Sequence, residues 1–397
     1  MHGWYPYVEG FSAAYVEEQL LSRRNAQPRS IYDPFGGSGT TQLVAACLGI
    51  PTFYSEVNPL MVFVAETKVT SASWCRRNSE ILGSAVSDYL GTLYSDEFLE
   101  RALETSLDDF NQAFPGRDFF EDRHLKELLT CRDIALDIAG DTPHVLAILN
   151  LACAANAVNA SNMTRRADLR RRRPDEYKHR VVDVRSMVAA SVRHMADDIS
   201  YLPEEMAPCA HISEDCRDLR GTKKWTGAFD LAVTSPPYLN GTNYFRNTKI
   251  ELWLLGMIGG ERDLKQFRAK AITAGINNVS GKVGLIHKVP EAESVAGRLD
   301  DHAKDRRIPE MVRRYFSDMS TMFESVYQCL RPGAEFVLDI GDSRFYGVHI
   351  PTDKILVQVG TEAGFELSSQ RVIAKRRSRD KTPLSQVELT FQRSGTR

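Results

Sequence analysis

Residues 29–68 order short apolar runs and helical stretches in one repeating sense. Residues 29–33 (Arg-Ser-Ile-Tyr-Asp) read as a strand, 40–48 as a helix, 51–56 as a second strand and 60–68 as a second helix. A βαβα order of this kind predicts a parallel sheet with helices on its faces, an α/β fold. Between the first strand and helix lies Asp33-Pro34-Phe35-Gly36-Gly37-Ser38-Gly39-Thr40-Thr41. Its glycines let the backbone turn tightly and approach a ligand with no Cβ in the way. The helix behind it offers unpaired N–H groups and the positive end of its dipole. The loop lacks the Lys-Ser/Thr ending of a P-loop and does not fit G-x-G-x-x-G, which argues against ATP hydrolysis and hydride transfer. Glu56 ends the second strand, about twenty residues past the loop, where an acid can bind both hydroxyls of a ribose.

A second cluster sits far along the chain. Phe229-Asp230-Leu231-Ala232-Val233 reads as a buried strand, and Thr234-Ser235-Pro236-Pro237-Tyr238 falls where it ends. Two prolines cannot donate to a ladder and set an extended turn. That turn presents carbonyls, with a hydroxyl before them and an aromatic ring after them. The set suits stacking on a planar ring while accepting hydrogen bonds from its amine. Asp215, upstream of this strand, is a candidate partner for an adenine amino group.

The segments around these clusters divide into three zones. Residues 1–75 and 209–397 carry the α/β signals. Between them, 76–208 shows apolar spacing of three and four, with helices expected over 81–93, 125–138, 143–158 and 181–199. This reads as a large all-helical insertion. In the last zone, 251–255 and 311–330 read as helices, 335–340 as a strand, 355–363 as a helix and 387–392 as a final edge strand. Residues 259–307, rich in Gly, Asn and charge, read as a long loop or small subdomain.

With 397 residues, 43% hydrophobic and 26% charged, the chain has the composition of a globular protein with one large or two ordinary domains. The amino terminus shows no signal-peptide pattern, and the most apolar window, 144–158, is too short to span a bilayer. Seven scattered cysteines fit a reducing cytoplasm. Cys209, His211 and Cys216 match no common zinc spacing, so no metal is expected. The net charge of -2 does not by itself advertise a polyanion partner. Basic stretches are local: Arg170, Arg171, Arg172 and Arg173 within 165–180, then 306–307, 313–314 and 375–377. Such stripes suit contact with a phosphate backbone and also occur as plain solvated faces.

Taken together, the Asp-Pro-Phe glycine loop, the ribose-binding acid and the later Ser-Pro-Pro-Tyr resemble the S-adenosylmethionine-dependent DNA amino-methyltransferases, which act on cytosine N4 or adenine N6. His2-Gly3-Trp4-Tyr5-Pro6-Tyr7 is similar to that family's amino-terminal segment, and the resemblance gives Tyr5 and Pro6 a part in closing over the methionine end of the cofactor. Residues 238–244, 251–256, 330–334 and 341–343 resemble the stretches that follow the catalytic motif. The resemblance implies a Rossmann-like methyltransferase sheet flanked by helices, with S-adenosyl-L-methionine bound by Tyr5, Pro6, Asp33, Pro34, Phe35, Gly36, Gly37, Gly39, Thr40, Thr41, Glu56 and Asp215. Ser235, Pro236, Pro237 and Tyr238 would be catalytic. Ser235 Oγ and the Pro236 carbonyl would take the hydrogens of the target amine, and Tyr238 would stack on a base flipped out of DNA. No covalent intermediate is needed. Pro208-Cys209, the one Pro-Cys, lacks the context that a cytosine-C5 nucleophile requires.

Serine at the head of the motif favours cytosine N4, with adenine N6 as the alternative. The helical insertion with its arginines and the 259–307 segment are competing candidates for reading DNA. Methylation of RNA, methylation of a protein glutamine and an inactive DNA-binding subunit are further readings. A prokaryotic cytoplasmic protein with DNA as substrate and a restriction endonuclease or defence component as possible partner is the expectation.

Overall fold

The computed structural model describes residues 1–7, 10–23, 28–165, 168–178, 180–239, 244–279, 287–377 and 382–395. Arg166 of the basic stretch, 240–243 after the Ser-Pro-Pro-Tyr and 280–286 of the expected loop lie outside the described residues. A seven-stranded sheet forms the frame. Its strands are β1 (Ile31–Asp33), β2 (Thr52–Ser55), β3 (Cys209–Ser213), β4 (Phe229–Thr234), β5 (Leu330–Gly341), β6 (Phe365–Arg377) and β7 (Pro383–Arg393). Their spatial order is β3-β2-β1-β4-β5-β7-β6. Strands β1 to β5 pair in parallel, and β7 runs antiparallel to both β5 and β6. The fold is a Rossmann-like α/β sheet.

The helices follow the chain as α1 (Ala13–Leu21), α2 (Thr40–Cys47), α3 (Pro59–Glu66), α4 (Ala72–Arg77), α5 (Ser79–Leu93), α6 (Asp96–Glu104), α7 (Asp108–Ala113), α8 (Asp122–Ala139), α9 (Pro143–Ala160), α10 (Val184–Ser200), α11 (Tyr244–Leu254), α12 (Leu264–Lys270), α13 (Pro290–Asp300), α14 (Arg307–Cys329) and α15 (Thr352–Glu362). Alternation along the strands sorts the core. Ile31, Leu231, Val233 and Val337 face α1 and α2, through Val16, Leu20 and Ala45. Tyr32, Ala232, Phe336 and Leu338 face the opposite side, against α14 and α15. Period-two side chains on both faces of a covered parallel sheet explain the near-continuous apolar runs.

Among the described residues of 76–208 the regular structure is helical apart from one short hairpin, Met163–Arg165 with Leu169–Arg171. The all-helical expectation missed it because its strands are three residues each and half arginine. α9 is apolar on all sides and is buried at the centre of this region, as an all-round apolar helix must be. By length and composition it is long enough to cross a membrane, which corrects the shorter sequence-based window. Its Asn156 is satisfied internally, donating to Ala152 O and Ser191 Oγ at 2.8 Å each. The helical core is continuous with Leu60, Met61 and Val64 of α3 and with Phe245, Leu252 and Trp253 of α11. The insertion therefore packs directly on the two helices that flank the ends of β2 and β4.

Two further expectations change. Residues 387–392 are not an edge: β7 lies between β5 and β6, with Val387, Leu389 and Phe391 buried from the α14 side. The edge on that side is β6, missed because most of its residues are polar and exposed, with Leu367 and Val372 too far apart to give an alternating apolar run. Of the two readings of 259–307, a long loop or a small subdomain, the single loop is ruled out, since the described residues include α12 and α13.

Candidate active site

Strand order reverses at β1 and β4: the chain leaves β1 towards β2 and β3, and continues from β4 towards β5. In open α/β sheets such a switch point leaves a crevice at the carboxyl ends of the strands, where ligands bind. A cavity of about 320 Å³ opens there. Pro34, Phe35, Gly36, Gly37 and Thr40 line one part, Glu56 and Asp215 another, and Ser235, Pro236, Pro237 and Tyr238 a third. The two clusters noted in the sequence, about two hundred residues apart, thus share one space.

Asp33 and Thr234 draw the clusters together. The Thr234 hydroxyl donates to Asp33 Oδ1 at 2.6 Å, tying the end of β4 to the end of β1. Asp33 also accepts from Phe35 N at 3.1 Å and from Gln42 Nε2 at 3.3 Å. Burial pushes its carboxyl up, and the Thr234 and Phe35 donors pull it back. Asp33 therefore faces inward and shapes the loop without lining the cavity. Gly39 and Thr41 are likewise buried beneath it.

The glycines have separate reasons. A Cβ on Gly36 would meet the Tyr54 ring at 2.4 Å. Gly37 stands at φ +49 and donates its N–H to Glu56 Oε2 at 2.9 Å. Glu56 Oε1 accepts from Asn58 N at 2.8 Å. Burial pushes the Glu56 carboxyl up to about 7, against the pull of these backbone donors. Lys68, buried in the π-helical stretch Thr67–Ser71, donates to Ser38 O at 2.9 Å from below the loop. Burial lowers its ammonium to about 8.

At the far wall, Asp215 is clamped by Arg217, whose NH2 lies 2.6 Å from Oδ2. Arg217 NH1 also reaches Asp318 of α14, 2.6 Å away. The register sets Thr234 opposite Leu338, so Ser235 stands beside Asp339. The Tyr238 hydroxyl donates to Asp339 Oδ1 at 3.1 Å, and Gln386 Nε2 donates to both Asp339 oxygens at 2.9 and 2.8 Å. These bonds hold the Tyr238 ring at the cavity wall. Asp339 and Gln386 were not singled out from sequence. An acid inside the apolar run of 335–340 was the available signal.

Tyr5 does not line the cavity and Pro6 is exposed; Tyr7 is the aromatic residue of that segment at the cavity. Tyr5 is buried, donating to Glu251 Oε1 at 2.8 Å and accepting from Arg165 NH1 at 3.2 Å. Burial and the neighbouring Glu251 hold its phenol well above its ordinary value. Arg165 also pairs with Glu251 and donates Nε to Asn247 O at 2.9 Å. The hairpin of the insertion is thus bolted to α11. Of the arginine run, Arg170 forms a two-pronged pair with Glu176 at 2.7 and 2.8 Å. Arg171 lies 2.6 Å from Asp118, Arg172 is half-buried and Arg173 is exposed. All four lie away from the cavity lining.

The donor set fits a nucleoside-bearing cofactor. A glycine loop with no side chains to fill the space, the Glu56 carboxylate and the Asp215 acid beyond the next strand converge on one side of the cavity. The opposite wall offers hydrogen-bond acceptors beside an aromatic ring.

No family model matches the chain. Among curated proteins it is similar to the Type II methyltransferase M.AvaI of Nostoc sp., 21% identical over 404 residues, covering 93% of this chain and 80% of that protein. It is also similar to the Type II methyltransferase M.BsoBI of Geobacillus stearothermophilus, 22% identical over 414 residues, covering 92% and 79%. Among solved structures, a SAM-dependent methyltransferase from Methanosarcina mazei aligns at 10% identity and TM-score 0.32, over 92% of this chain and 93% of that one. The rRNA methyltransferase aviRa from Streptomyces viridochromogenes aligns at 12% identity and TM-score 0.34, over 98% and 90%.

Proposed function

We propose that this chain is an S-adenosylmethionine-dependent DNA methyltransferase acting on the exocyclic N4 of a flipped-out cytosine. The observation that carries it is the shared cavity, with a glycine loop and Glu56 on one side and Ser235-Pro236-Pro237-Tyr238 on the other. The similarity to two Type II methyltransferases along most of the chain supports the same reading. A cognate restriction endonuclease is the partner to seek, in the cytoplasm of a prokaryotic cell.

The cofactor is held by Pro34 to Gly37, Thr40, Glu56 and Asp215, and supplies an electrophilic methyl carbon. An exocyclic amine is a poor nucleophile because its lone pair is delocalised into the ring. Ser235 Oγ and the Pro236 carbonyl accept its hydrogens and localise that pair towards the methyl. Tyr238, steadied by Asp339, stacks on the base. Holding amine and methyl in line lowers the barrier through orientation, with no covalent intermediate. Serine at position 235 carries the choice of cytosine. The helical region with Arg170, Arg171, Arg172 and Arg173 is proposed to reach the DNA backbone, the exposed Arg171–Asp118 pair exchanging for a phosphate at little cost.

Transfer of labelled methyl onto DNA, RNA and protein, followed by identification of the modified base, tests this. DNA carrying N4-methylcytosine is expected. A Tyr238→Ala variant loses a stacking contact of about 1–3 kcal/mol, about 5- to 150-fold in kcat/KM. Methylation of RNA alone, or an unaffected variant, overturns the proposal. N6-methyladenine overturns the choice of base.

Cofactor affinity should also follow pH. A diol donates to the ionised Glu56 carboxylate, and that group gains its proton as pH falls through about 7. Affinity is therefore expected to rise several-fold from pH 6 to pH 8, and Glu56→Gln should flatten that step. Because the folded-state value is raised, ionising Glu56 costs stability as pH rises from about 4.5 to about 7 in the free protein. Calorimetric titration of S-adenosylmethionine across this range reads the effect. An unchanged slope in Glu56→Gln would remove Glu56 from the cofactor site.

A further inference from the structure

Beyond β5 the chain folds into a small hairpin, Ser343–Phe345 paired with Val348–Ile350. Phe345 pairs with Val348, so Tyr346 and Gly347 form a two-residue loop. Both stand at positive φ, +47 and +82. That is a type I′ turn, whose first position favours Asn, Asp or Gly. Tyr346 is the one non-glycine residue at positive φ among the described residues. A bulky side chain there is strained. Its ring is nonetheless 44% exposed and so gains little from burial in return.

The base of the hairpin is firm. Ile350 and Ser343 are buried, and Phe345 and Val348 pack on the core beneath. His349 Nε2 lies 3.0 Å from Asp342 Oδ2. The hairpin springs from the carboxyl end of β5, and Asp339 of the same strand lines the cavity beside Ser235. Residues 339 to 346 span at most about 24 Å of extended chain, roughly seven base-pair steps along a duplex. The hairpin, with its strained, exposed aromatic tip, thus rises from the carboxyl end of a strand that lines the cavity, no further from Asp339 than that reach.

We propose that Tyr346 is a DNA-contacting wedge, which stacks against bases beside the nucleotide flipped into the cavity. Flipping leaves an unstacked gap, and an aromatic or apolar side chain entering such a gap offsets part of the unstacking cost. This rests on the DNA methyltransferase reading above, from which it adds a specific residue and a role in opening the duplex.

Tyr346→Asn tests it, because asparagine suits the turn while lacking the ring. Measured on sheared, unmethylated genomic DNA with labelled methyl transfer, the variant is expected to raise KM for duplex DNA at least about five-fold. Its melting temperature should be equal or higher, its S-adenosylmethionine affinity unchanged, and Tyr346→Phe should behave as wild type. On heat-denatured DNA, where no pair is opened, the defect should largely vanish. An unchanged KM in Tyr346→Asn, an equal defect on single strands, or a lowered melting temperature accompanying the defect would overturn the wedge. If wild-type protein methylates no DNA, the underlying reading fails; if it does and the variant matches it, the wedge alone fails.

Discussion

Arg165→Met is expected to destabilise the protein by about 3–5 kcal/mol, read as a lowered midpoint in urea or guanidinium unfolding. Arg165 and Glu251 form an ion pair whose side chains are 10% and 1% exposed. Glu251 Oε2 has no hydrogen-bond partner, so the carboxylate depends on Arg165 and on the Tyr5 hydroxyl through its other oxygen. Removing the arginine alone leaves a buried charge that neither solvent nor a second cation meets. Removing both charges, as Arg165→Met with Glu251→Met, should recover most of the loss, since apolar side chains of similar size tolerate the same space. The recovery separates a buried charge from a general packing defect. α11 is the first described helix after the Ser-Pro-Pro-Tyr. The single variant is thus expected to lower methyl transfer as well as stability, and the double variant to restore part of it. Equal stability in the single variant would mean that the pair does not bolt the insertion to α11.

This network shows why the sequence divided the arginines imperfectly. Arg165 and Arg170 stand in one basic stretch and look alike in composition. Their surroundings differ because Arg165 meets Glu251, 86 positions away, whereas Arg170 pairs locally with Glu176. The same holds for Tyr5 and Tyr7, two residues apart: one is sealed against Glu251 and the other faces the cavity. What was legible was local. The β1-loop-α2-β2-α3 run follows from periodicity and glycine placement over forty residues. The Ser-Pro-Pro-Tyr turn follows from two prolines at the end of an apolar strand. Non-local pairing was not legible, and this is where expectations moved. Nothing within 387–392 tells an interior antiparallel strand from an edge, because the distinction lies in whether β6 covers it. Asp339 was passed over for the same reason. Its role depends on Tyr238 and Gln386, which reach it from the turn after β4 and from β7.

Gly39→Ala should be far more damaging than the same methyl addition at Gly37, its neighbour in the glycine loop. Gly39 caps α2 at φ +83, a conformation that costs alanine about 1 kcal/mol. Its added Cβ would also lie 2.8 Å from both the Cα and the Cβ of Ala65. Ala65 is in the body of α3, whose Leu60, Met61 and Val64 are locked in the helical core, so the backbone there cannot yield cheaply. Overpacking of this kind adds about 1–3 kcal/mol, for a total of about 2–4 kcal/mol. Gly37→Ala isolates the conformational part. It too stands at positive φ, but its nearest neighbour would be the Tyr7 ring at 3.6 Å, so about 1 kcal/mol is expected. Both variants should weaken S-adenosylmethionine binding, Gly37→Ala with little change in unfolding midpoint and Gly39→Ala with a large one. Ala65→Gly in the Gly39→Ala background removes one of the two clashing atoms and should recover part of the stability but not the backbone cost. If Gly39→Ala and Gly37→Ala unfold at the same midpoint, the close approach of α3 is not what demands glycine at position 39.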